Sequence, residues 1–136
     1  NTYDSKEHDF KLNITKDVLI ELIGETICNT LLTMYDGYYN SIYIRKVLGD
    51  KSLIDFHKDY SKRTMKIALN DPTEYEGGDF NICETHPISE KTKVKSFSLK
   101  KGEMIVFPSH TWHKVNKVTK GIRKALVGWV VGKQWK

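Results

Sequence analysis

The sequence predicts a mainly β fold, an antiparallel sandwich or jelly roll with one supporting α-helix at its N-terminal end. Helical periodicity is confined to one stretch, Thr15 to Tyr35. Beyond it come about eight short apolar runs at strand length, each bounded by a turn signal and none followed by a second helix.

Residues 1–12 are polar and read as a frayed or edge segment. In the helical stretch, Leu19, Ile23, Ile27, Leu31 and Met34 recur at helical spacing, joined by Leu22. Thr15 suits the N-cap and Asp17 the first turn, and Asp36-Gly37 ends the element. Strands are expected at Ser41–Leu48, Ser52–His57, Arg63–Leu69, Asp79–Cys83, Val94–Leu99, Met104–Phe107, Trp112–Val115 and Ile122–Val131. The breaks are Gly49-Asp50, Asn70-Asp71-Pro72, Gly77-Gly78, His86-Pro87, Lys101-Gly102 and Lys120-Gly121.

At 136 residues the chain fits one domain with one core, and 39% hydrophobic with 29% charged residues is a globular balance. No run approaches the ~18 apolar residues of a spanning helix, and no leader of the charged-then-apolar kind is present. The first residue is Asn1, so the expectation is a single domain lacking part of its N-terminal region, with any targeting signal outside the chain. Cys28 and Cys83 form no CxxC pair and read as free thiols in a reducing, cytoplasmic compartment. The net charge of +5 is spread rather than blocked, which favours a solvated surface over a nucleic-acid partner. A bias toward Asn, Lys and Ile hints at an AT-rich genome of the viral or phage kind.

The chemistry sits in two clusters, Phe56-His57-Lys58-Asp59 and Ser109-His110-Thr111-Trp112-His113. In a strand, residues i and i+2 share a face, so His57 and Asp59 reach one metal together while Lys58 points away. The third ligand has to come from another strand. Two imidazoles and one carboxylate hold Fe(II) on one face and leave the other open, and no thiolate is offered to bias the set toward zinc or copper. His113 is preferred to His110 because it opens the apolar stretch leading to Arg123, whereas His110 sits in the Pro108-Ser109 turn. His8 and His86 lie in polar segments and read as solvated. Ten residues past His113, Arg123 is a fixed cation suited to a dicarboxylate, and Ala125, Val127 and Trp129 share its strand face.

From Phe56 to Trp129 the chain resembles the Fe(II)- and 2-oxoglutarate-dependent dioxygenases, specifically their prolyl-4-hydroxylase-like branch. The stretch from Ala68 to Gly78, ALNDPTEYEGG, is similar to that family's "LND…YEGG" turn, and KGEMIVFPS from Lys101 to Ser109 to its "GD-hydrophobic-FPS" strand. The run from His113 to Arg123 matches "H-x-V-x-x-V-T-x-G-x-R", a form nearest the PKHD-type hydroxylases, while the YEGG and IALN elements also resemble lysyl hydroxylases. The resemblance implies a double-stranded β-helix, a cupin-like jelly roll. It implies His57, Asp59 and His113 as catalytic iron ligands and Arg123 as the partner of the distal carboxylate of 2-oxoglutarate. Tyr43 and Trp129 are expected to line the co-substrate pocket.

With Fe(II), 2-oxoglutarate and O2, and ascorbate as reductant, the implied reaction hydroxylates a substrate C–H bond and releases succinate and CO2. The expected substrate is a peptide or protein, prolyl first and lysyl second, with no membrane partner. A nucleic-acid demethylase is disfavoured because Trp129 stands where such enzymes carry a second arginine. A non-catalytic jelly-roll binding module is disfavoured by the intact ligand set.

Two positions depart from the family. Where many relatives have tyrosines, this chain has Val47 and Ala68, and Lys66 either enters the barrel to share the carboxylate with Arg123 or stays at the rim. The loops at Asp36–Asn40, Gly49–Ser52 and Glu84–Lys93 carry no recognisable specificity code; the last is a lid or an ordinary long hairpin loop.

Overall fold

The computed structural model describes residues 2–5, 9–33, 38–48, 54–83 and 93–132. The polar N-terminal segment forms β1 (Thr2–Ser5) and β2 (Asp9–Ile14), an antiparallel pair at the edge of a sheet. Thr15 then caps a helix as expected, its side chain accepting from the Val18 N–H. The helix is not continuous, however. It divides into α1 (Lys16–Ile23) and α2 (Glu25–Thr33) at Gly24, whose φ of 86° and ψ of 158° leave helical space. The Gly24 N–H closes α1 on Ile20 O, and its carbonyl accepts from Cys28 N. Because the break resets the helical phase, Leu22 and Ile27 face solvent while Leu19, Cys28, Leu31 and Leu32 are buried. Among the described residues no helix is long and apolar enough to cross a membrane. The expected helix end at Asp36-Gly37, His8, His86, the loop around Gly49–Ser52 and most of the Glu84–Lys93 loop lie outside the described residues.

The strands follow in order: β3 (Tyr38–Leu48), β4 (Ile54–His57), β5 (Arg63–Ala68), β6 (Tyr75–Gly77), β7 (Phe80–Cys83), β8 (Val94–Phe97), β9 (Met104–Pro108), β10 (Trp112–Val115) and β11 (Val118–Gly132). One sheet runs β1-β2-β3-β11-β5-β9 with β6 also paired to β11, and a smaller sheet runs β4-β10-β7-β8. This is the expected jelly roll. Two features were not foreseen. β6 is a strand of its own, and β11 runs straight through the Lys120-Gly121 break, with Gly121 at φ 81° absorbing the turn signal.

The central strands of the large sheet are buried on both faces. Outward, Ile42 of β3, Met65 of β5 and Leu126 of β11 pack with Ile14 against Leu19, Cys28, Leu31 and Leu32 of the helices. Inward, Thr64, Lys66, Ala68, Arg123, Ala125 and Val127 are also buried. Strand alternation therefore separates a helix-covered apolar core from a polar interior. The interior is closed from the small sheet by aromatic packing of Phe80 on Phe107, with ring centroids 5.2 Å apart.

The turn between β5 and β6 is built by local chemistry. Asp71 caps the single 3-10 turn Pro72–Glu74, and Glu74 returns a bond to the Asp71 N–H. Gly77 follows at φ 78°, where an added Cβ would collide with the Lys117 carbonyl. Gly77→Ala is expected to lose about 1–3 kcal/mol through backbone strain alone, before the collision is counted. Chemical denaturation measures it.

Candidate metal centre

His57 is the last residue of β4, and His113 of β10 is its direct cross-strand partner. Their rings lie 4.3 Å apart. Asp59 lies beyond the end of β4, so strand alternation does not hold it. Instead its N–H bonds to Ser109 O at 2.8 Å, tying it to the turn that leads into β10. Asp59 Oδ1 is 3.6 Å from His57 Nε2, and Oδ2 is 3.2 Å from His113 Nε2. The donor atoms of the three residues all lie within 4.8 Å of one another. Lys58 points away, its ammonium over the Trp112 ring. His110 is exposed in its turn, so His113 and not His110 joins the pair.

The two histidines are held differently. The His113 side chain is 1% exposed, packed between Phe80 and Phe107, whereas that of His57 is 36% exposed. His113 Nδ1 lies 2.7 Å from Thr111 O, an acceptor, so Nδ1 carries the proton in the neutral ring. Nε2 then presents a lone pair to a carboxylate oxygen 3.2 Å away. Two acceptors held face to face repel unless a cation or a proton lies between them.

Asp59 is held by groups that motif reading did not single out. Thr64 Oγ1 donates to Asp59 Oδ2 at 2.6 Å, and Trp129 Nε1 donates to the same oxygen at 3.2 Å. Since Thr64 gives its proton to Asp59, Ser109 donates to Thr64 across 2.9 Å, and Ser61 abuts Ser109 from the other side. Burial pushes the Asp59 carboxyl up, but a proton on His113 Nε2, through its hydrogen bond and charge, together with the Thr64 hydrogen bond and the Lys66 charge, outweighs it and brings the pKa down to about 2. The carboxylate is therefore ionised at any ordinary pH. The available sequence signal for this network was hydroxyl residues at buried positions flanking the two clusters.

Arg123, 7% exposed, lies on the inner face of β11. Asn70 brackets it. Its Nδ2 donates to Ile122 O at 2.7 Å, and its Oδ1 accepts from Lys124 N at 2.9 Å. Gly78, at φ 73°, lies against the arginine stem, where a Cβ would come within 3.0 Å of Arg123 Cδ. Of the two departures noted in the sequence, Val47 stands opposite Arg123 and Ala68 opposite Ala125. Tyr43 pairs in register with Val127, its side chain lying outside the described set.

Residues 43–131 match the family model for the 2OG-Fe(II) oxygenase superfamily. The chain belongs to that superfamily. Among curated relatives, a PKHD-type hydroxylase of Synechococcus sp. (strain CC9311) is 43% identical over 96 residues, covering 71% of this chain and 36% of the relative. One from Prochlorococcus marinus is 44% identical over 70 residues, covering 52% of this chain and 29% of its own length. The chain thus spans about a third of the curated relatives it matches. Two solved structures share the fold. A 2OG-Fe(II) oxygenase family oxidoreductase from Burkholderia pseudomallei superposes with TM-score 0.67 at 18% identity, covering 98% of this chain and 76% of that one. A prolyl hydroxylase from Trichoplax adhaerens, solved with a hypoxia inducible factor peptide fragment, gives TM-score 0.67 at 16% identity, covering 91% and 63%.

The Fe(II), 2-oxoglutarate and O2 used by 2OG-Fe(II) oxygenases suit what is built here. Two imidazoles and an ionised carboxylate are a donor set for Fe(II), and a cation resolves the clash between His113 Nε2 and Asp59 Oδ2. Beside the carboxylate opens a cleft of about 310 Å³ lined by Lys58, Asp59, Tyr60, Ser61 and Trp129. Trp129 therefore both lines this cleft and holds Asp59. Thr64→Val, which keeps the side-chain shape, is expected to weaken iron binding about 10–100-fold, the usual cost of losing a partner of a ligand. A chelator-competition titration reads this.

Proposed function

We propose that this chain is the catalytic domain of an Fe(II)- and 2-oxoglutarate-dependent hydroxylase acting on a peptidyl side chain, with proline as the preferred residue. His57, Asp59 and His113 hold the metal, and Arg123 receives the distal carboxylate of 2-oxoglutarate. The observation that carries this reading is the convergence of two imidazoles and one carboxylate within 4.8 Å in a barrel whose inner face also buries a permanent cation. Bound Fe(II) supplies the oxidative decarboxylation of 2-oxoglutarate by O2, coupled to hydroxylation of a substrate C–H bond, with succinate and CO2 released.

The protein's own part is to hold and orient. Thr64 and Trp129 fix one oxygen of Asp59 and so hold the carboxylate turned toward the two imidazoles. Thr111 fixes the His113 tautomer, and Phe80 and Phe107 keep water from its ring. Trp129 and the fully exposed Tyr60 offer aromatic surface at the cleft, suited to a compact neutral ring such as a prolyl side chain. A lysyl side chain ranks second as substrate.

Two measurements test the reading. Anaerobic addition of Fe(II) and 2-oxoglutarate should produce a weak visible charge-transfer band, and its absence together with no succinate in air would falsify the oxygenase assignment. A peptide-library screen for a mass gain of one oxygen atom then identifies the residue. Hydroxylated lysine in place of proline would reverse the substrate ranking.

A further inference from the structure

Arg123 is not the only cation inside the barrel. Lys66 on β5 is 6% exposed and stands opposite Val127 of β11 and Ile105 of β9. Val127 lies four residues along β11 from Arg123, so alternation puts Lys66 and Arg123 on the same inner face. Of the alternatives that the sequence left open for Lys66, the structure takes the inward one.

Among the described residues the ammonium has no anionic partner. Among the described residues no hydrogen bond or ion pair reaches Lys66 Nζ; its one close companion is the Phe80 ring, 4.6 Å from centroid to Nζ. On β5 the hydroxyl of the preceding inward residue, Thr64, is spent on Asp59, and two further neighbours offer no polar side chain. Val47 lies opposite Arg123, and Ala68 is the next inward residue on β5. A ring face offsets only part of the cost of burying an ammonium. Burial pushes the Lys66 pKa down to about 7, aided by the charges of Arg123 and Arg45 and opposed by that of Asp59. A buried ammonium that no carboxylate of the described residues reaches, on the same inner face as a buried guanidinium, is a site for an anion.

We propose that Lys66 is a second anchor for the distal carboxylate of 2-oxoglutarate, acting with Arg123 to make the pocket selective for dicarboxylate over monocarboxylate keto acids. This rests on the co-substrate assignment made above. The keto-acid end goes to the metal, so only the distal carboxylate can extend to this end of the barrel. There it offers two oxygens, enough to meet both cations, and its arrival relieves their mutual repulsion. In the cofactor-free protein the buried Lys66 ammonium therefore lacks the counter-charge that binding supplies.

The test compares 2-oxoglutarate with 2-oxopentanoate, which has the same keto-acid head and chain length but lacks the distal carboxylate. Binding of each is titrated calorimetrically to the Fe(II)-loaded protein under nitrogen, for the native sequence and for Lys66→Met and Lys66→Gln. The native protein should prefer 2-oxoglutarate. In both variants its affinity should fall about 10–100-fold, the effect of losing one charge-assisted bond, while that for 2-oxopentanoate stays put. Thermal unfolding of the cofactor-free variants supplies an independent readout. Removing a buried unpaired charge should leave Tm unchanged or raise it, whereas a merely structural lysine would lower it. An unchanged ratio of the two affinities overturns the proposal for Lys66 alone. A native protein that binds neither keto acid overturns the co-substrate assignment beneath it.

Discussion

Replacing His113 by alanine is expected to abolish iron-dependent turnover, while His110→Ala leaves it unchanged. The loss should exceed the about 10–100-fold typical of removing an outer partner of a metal ligand, because the donor itself is gone. His113 is also a packing residue, 1% exposed between Phe80 and Phe107, so its truncation should cost roughly 2–4 kcal/mol of stability as well. His57→Ala separates the two effects. Its side chain is 36% exposed, so its removal should leave the unfolding midpoint nearly intact and still end turnover. Iron content after dialysis, succinate release and thermal unfolding together read the outcome. Full activity in His57→Ala, or loss in His110→Ala, would show that the ligand set is wrongly drawn.

Arg123→Met should raise the 2-oxoglutarate requirement by about 100-fold or more, since a bidentate guanidinium–carboxylate pair combines two charge-assisted bonds of roughly 1.5–3 kcal/mol each. The effect should fall on KM for 2-oxoglutarate, with iron affinity preserved, because Arg123 makes no part of the His-Asp-His cluster. Arg123→Lys should restore little. An ammonium cannot reproduce the planar fork, and the guanidinium's place is set by Asn70 on either side of it and by Gly78 against its stem. Steady-state titration of 2-oxoglutarate at saturating iron gives the answer. An unchanged KM would move the carboxylate site elsewhere.

The convergence of His57, Asp59 and His113 was legible in the sequence, and so was the candidate arginine, because their spacing is local. A histidine and a carboxylate two residues apart, and a histidine ten residues before an arginine, survive any uncertainty about how strands pair. Most strands were legible for the same reason, through alternation and punctuation. What failed was what depends on partners distant in sequence. Gly24 is the exception, a local break with partners four residues away that side-chain periodicity alone drew as continuous helix. Gly121 looks like a stop but lies inside β11, where β6 pairs with it. Thr64, Ser109 and Asn70 look like ordinary polar residues until register brings them against Asp59 or around Arg123. Lys66 could be named but not placed, because only the pairing of β5 with β11 and β9 shows which way it faces.

The length of β11 has a consequence for the fidelity of folding. One strand carries Arg123, the proposed co-substrate anchor, and Trp129, the partner of Asp59, and it is paired with β3, β5 and β6. A slip of one residue against those neighbours would turn both side chains outward into the helix-covered core and bring Leu126 into the polar interior. Such a chain would lose its grip on co-substrate and its brace on Asp59 together, while burying a guanidinium among aliphatic side chains. The strand thus proofreads itself. A misregistered molecule is both inactive and unstable, and a half-working enzyme does not accumulate.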